Sequence, residues 1–83
     1  MNHQAVLFHL KEAREELDRT IAGLENDPTY SAGKFKVAMM HLYHHLNTAW
    51  NGRRASNKRH RECAETDFQA WRKFPRNSEL LLD

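Results

Sequence analysis

The chain has few of the residues that staple or punctuate a small fold. Its 83 residues include one cysteine, Cys63, which excludes an internal disulfide framework and a cysteine zinc knuckle. Proline occurs twice, at Pro28 and Pro75, and glycine three times, so long stretches lack any helix breaker. No run of 18 apolar residues exists, and this excludes a membrane-spanning helix. The apolar letters after Met1 are interrupted by His9, Lys11 and Glu12, unlike a secretory leader, so the expected location is cytoplasmic. A large charge of one sign is also missing, since 13 Lys and Arg face 11 Asp and Glu for a formal +2. Aliphatic and Phe residues are scarce (nine Leu, two Val, one Ile, four Phe), yet without high net charge the composition does not read as disordered. Strand-like alternation and internal repeats are absent, and nucleotide-binding βαβ folds and two-domain enzymes need more chain.

What is present is helical periodicity. From His3 to Asn26, the apolar residues Val6, Leu10, Ala13, Leu17, Ile21 and Leu24 recur every three or four positions. Asp27-Pro28 ends this pattern because Pro28 lacks an amide hydrogen and restricts the residue before it. Ser31 is a natural N-cap for a second helix over 32–51, whose stripe is Phe35, Met39, Leu42, Leu46 and Ala49. Asn51-Gly52 is its stop signal. A linker of about five residues forces the two helices side by side and antiparallel. A register that pairs Leu17 with Leu42 and Leu24 with Phe35 would face the two stripes toward each other.

The remainder is less regular. Residues 52–65 read as a basic loop, and a short helix over about 66–74 carries Phe68, Trp71 and Phe74 before Pro75. Thr66 or Asp67 would cap it, and Ser78 would cap a C-terminal turn over 78–82. The aromatic segment should fold back on Trp50 at the hairpin's open end. The fold class is therefore all-α, a single domain built on a long antiparallel helical hairpin. One hairpin leaves much of each stripe wet, and Phe8, Val37, Met40 and His44 project off the stripe as interface candidates. A two-fold homodimer forming a four-helix bundle is the simplest way to cover them.

Six histidines are many for so short a chain, and His41, His44 and His45 crowd one segment. At about 100° per residue, His41 and His45 share one flank of the second helix while His44 points away. The expected register sets Glu16 between His41 and His45, with His9 and Glu12 on the same flank as supporting ligands. Two imidazoles and a carboxylate form a known ligand set for iron and zinc, so a divalent metal is one reading. The plainer one is a hydrogen bond from an imidazole to Glu16, with no cofactor. Catalysis by His45 and Glu16 would need a pocket and oxyanion donors that a hairpin does not supply. Cys63 reads as a small filler beside the third helix.

The run Arg53, Arg54, Lys58, Arg59 and Arg61 contains no acid before Glu62 and could contact phosphates if all five lay on one surface. Pairing with local acids is the competing outcome. Taken together, the sequence favours a non-enzymatic helical protein acting through self-association and protein contacts, away from membranes. A metal- or ligand-binding bundle comes second and a nucleic-acid binder third.

Overall fold

A computed structural model describes residues 1–80, and Leu81 and Leu82 of the expected C-terminal turn lie outside them. The described chain contains helices and no strands: α1 (His3–Asn26), α2 (Ala32–Asn51), α3 (Asn57–Glu62), α4 (Glu65–Trp71) and α5 (Asn77–Leu80). Helices α1 and α2 pack along each other as an antiparallel hairpin. None of the described helices is long and apolar enough to cross a membrane.

Local chemistry sets the ends of these elements. At the turn, Asp27 accepts hydrogen bonds from the backbone N and the Oγ1 of Thr29, at 2.8 and 2.6 Å. Ser31 then caps α2 by accepting from Lys34 N. Gly23 is required for packing, because a Cβ there would stand 2.7 Å from the Tyr30 ring. At the open end, Asn2 caps α1 through Oδ1 and donates from Nδ2 to the Ala55 carbonyl and to Asn57 Oδ1, both at 2.8 Å. Its backbone N donates to the Arg53 carbonyl at 2.6 Å. This residue therefore clasps the start of α1 to the segment that follows α2.

The expected basic loop is not structureless. Ser56 caps the six-residue α3, and the helix stops at Cys63, whose φ of 41° is left-handed. Helix α4 begins at Glu65, ahead of the expected caps; Ala64 stands at its N-cap with no side-chain cap hydrogen bond, and Asp67 pairs with Arg59 at 2.6 Å.

The seam between α1 and α2 differs from the expected one. Its buried positions on α1 are Ala5, Ala13, Glu16 and Thr20, and on α2 Ala38, Leu42 and Ala49. Small side chains let the two backbones approach closely, which the bulky stripe could not. The expected register placed Glu16 opposite Tyr43 and His9 opposite Trp50. Instead Glu16 lies near His41 and His9 meets His45, offsets of two and five residues from that register. Leu10, Leu17, Ile21 and Leu24 are left outside the seam, together with Phe35 and Leu46.

The aromatic segment also packs differently. Trp71, the largest buried side chain, stacks on His60 with ring centroids 4.6 Å apart rather than on Trp50. Phe68 meets His44, and Phe74 meets Tyr43. Trp50 instead takes the Arg53 guanidinium over its ring at 3.9 Å and donates from Nε1 to Glu79. Asn47 and Asn51 on α2 hold the end of α4 by donating to the carbonyls of Arg72, Trp71 and Lys73.

Candidate functional site

Two features stand out: an apolar face on the hairpin and a knot of histidines at its open end. The face follows from helix geometry. Counted at about 100° per residue, the apolar stripe of each helix lies roughly a quarter-turn past the seam, in the same sense along the chain. Because the helices run in opposite directions, that offset turns both stripes to one side of the hairpin. Leu10, Leu17, Ile21 and Leu24 of α1 and Phe35 and Leu46 of α2 are between 40% and 58% exposed there. The stripe positions themselves are apolar, and on α1 Arg14 and Glu25 border the stripe on the edge away from the seam.

Bulk dimensions agree with an uncovered face. The accessible surface is 6471 Å², whereas a compact monomer of 9.8 kDa should expose about 5,200 Å². The radius of gyration is 14.6 Å, against about 12 Å for a globular chain of this length.

The histidine knot joins the hairpin to α3 and α4. His9 Nδ1 and His45 Nδ1 lie 3.2 Å apart, so one ring donates and the other accepts. His60 stands 5.7 Å from His9 between ring centroids, and its Nε2 lies 2.8 Å from the Gly52 carbonyl. His44 stacks edge-on to His45 at 5.5 Å. A small cavity of about 60 Å³ borders His9, His44, His60, Thr48 and Cys63, and among the described residues the buried Thr48 hydroxyl has no hydrogen-bond partner. Burial, then the neighbouring imidazoles His45, His60 and His44, push the His9 pKa down to about 4. Burial and His45 lower that of His44 as well. Both shifts favour the neutral form of the His9 and His44 rings. The surplus of histidines signals it in the sequence, but the part played by His60 is hidden within the basic run.

The proposed metal set is not assembled. His41 Nδ1 stands 3.9 Å from Glu16 Oε1, while Glu16 Oε2 accepts a hydrogen bond from Arg19. His45 instead meets His9, at 3.2 Å between Nδ1 atoms. Glu12 is half-buried, and its charge acts on Arg19. Among the described residues no group of three or more His, Cys, Asp or Glu is placed to hold a metal ion.

The basic run is partly paired, and Arg54, Lys58, Arg59 and Arg61 are exposed. Arg53 is held on Trp50, Arg59 pairs with Asp67, and Lys58 lies 3.9 Å from Glu62. Of the interface candidates, Phe8, Val37 and Met40 stay exposed, and His44 is half-buried against Phe68. The larger face of Leu10, Leu17, Ile21, Leu24, Phe35 and Leu46 was assigned to the seam by the sequence. Cys63 is exposed, not a buried filler. Comparison with family models, with curated proteins and with solved structures finds no match to this chain.

Proposed function

We propose that this chain is a non-enzymatic helical module that acts by self-association, two hairpins laying their apolar faces together as a four-helix bundle. The supporting observation is the uncovered stripe of six large apolar residues, bordered on α1 by Arg14 and Glu25. A second copy is the occupant because the face is two antiparallel helices wide, which is one half of such a bundle. A two-fold axis then matches the patch to itself. The accessible surface exceeds that of a compact monomer by about 1,300 Å², enough to supply the roughly 800 Å² per partner of a standard interface. The small core points the same way: its apolar members are five alanines, Leu42 and Trp71. A domain of this size without disulfides ordinarily draws further stability from a partner.

Light scattering after size exclusion tests the proposal. At micromolar concentration the wild-type chain should elute at twice 9.8 kDa, and Leu17→Glu should elute at 9.8 kDa with its helical circular dichroism retained. A wild-type monomer at 100-fold higher concentration would refute the reading.

A further inference from the structure

The outer side of α2, away from α1, forms the wall of a second apolar groove. Phe35, Met39, Met40 and Tyr43 supply that wall, and Phe68 and Phe74 close it from the C-terminal segment. The groove measures about 620 Å³. Met40 and Phe74 are among its most open members, at 61% and 64% exposed. Tyr43 and Phe74 meet edge to face at 5.3 Å, and the Arg72 guanidinium lies 5.4 Å from the Phe68 ring. The Tyr43–Phe74 contact, with that of His44 and Phe68, holds the far wall against α2.

Two properties define what would fit. First, the α2 lining runs from Phe35 to Asn47, about 18 Å of helix, or three turns. That is the length over which an amphipathic helix presents its i, i+3, i+4 and i+7 side chains to a groove. Methionine and aromatic side chains are well suited to such a wall, the former because they repack around varied shapes. Second, the cationic and imidazole side chains lining the groove are Lys36, His41, His44 and Arg72, and among the described residues no acidic side chain lines it. The rim thus presents basic groups only, Lys36 and Arg72 being cationic at neutral pH, and opposite charges at a rim steer and orient a partner.

We infer that this groove docks an acidic amphipathic helix of another protein, its apolar side chains entering between α2 and Phe74 and its carboxylates facing Lys36 and Arg72. This surface is separate from the proposed dimer face except at Phe35 and Met39, which border both.

Fluorescence anisotropy tests the inference with a labelled 16-residue model helix, leucine and phenylalanine on one face and glutamate on the other. The full chain should bind it, more weakly as salt rises from 50 to 300 mM, and should bind a lysine-for-glutamate version at least tenfold more weakly. Met40→Glu, a change at an exposed position, should weaken binding at least tenfold while circular dichroism stays unchanged. Leu17→Glu should retain binding, which separates this site from self-association. Equal affinity for both peptides, or loss of binding in Leu17→Glu but not in Met40→Glu, would overturn the assignment. So would cosedimentation with phosphatidylglycerol vesicles in the absence of any peptide binding.

Discussion

Acidification should loosen the junction between the hairpin and α3–α4, and His9 should carry the first part of that loss. In the folded chain His9 faces His45 on α2 and His60 on α3, with His44 behind His45 and the Phe8 ring edge-on at 5.2 Å. No carboxylate hydrogen-bonds or pairs with it among the described residues. Its pKa is about 4 when folded and 6.5 when free of these surroundings, so the unfolded chain binds the proton more readily. Stability is therefore fully present above pH 6.5, falls as pH drops from 6.5 toward 4, and levels off below that for this group. The difference corresponds to about 3 kcal/mol in full, and roughly 1–2 kcal/mol once solvent screening of a half-exposed ring is allowed for. His44 adds to the loss in the same direction. Urea midpoints followed by circular dichroism at pH 7.5, 6.5, 5.5 and 4.8, at constant ionic strength, measure the slope. Asp27, Asp67 and Glu79 have lowered carboxyl pKa values and contribute mainly below that range. The variant His9→Gln should flatten the slope between pH 7 and 5. If wild type and variant lose stability in parallel, the imidazole knot is not the cause.

Further substitutions probe the frame. Trp71→Ala removes the largest buried side chain and its stack on His60, and should lower stability by about 3–5 kcal/mol, read as lost or non-cooperative thermal unfolding. Asn2→Ala deletes the α1 cap and two side-chain ties to the α2–α3 connection; a loss of about 1–2 kcal/mol in chemical denaturation is expected. Cys63→Gly relieves the left-handed backbone at the end of α3 and should raise the melting temperature slightly, by a stabilisation of up to about 1 kcal/mol.

The hairpin was legible because its signals are local. The three-and-four spacing from Val6 to Leu24, the Asp27-Pro28 break and the Ser31 cap each act within one turn of chain. The seam was not legible, because large apolar residues mark what avoids water but not which neighbour covers them. Ala5, Ala13 and Ala38 give a weak periodic signal that Leu10, Leu17 and Leu24 overshadow, yet close approach of two backbones needs the former. The candidate metal site inherited that error. In the observed register Glu16 stays near His41 while His45 meets His9, and Arg19, one turn on along α1, takes the other Glu16 oxygen. The contact of His9 with His60 spans 51 positions and depends on α3, which the run of arginines concealed.

Separate groups of letters thus write the hairpin and its stickiness. Alanines and a threonine bring the rods together, while leucines, an isoleucine and a phenylalanine sit outside, available to whatever comes. A lineage could repaint that exterior, trading one companion for another, without reworking the hinge at Pro28 or the knot at Asn2. Mutational scanning should accordingly find two tolerant and intolerant sets interleaved along the same helices, offset by about a quarter of a turn.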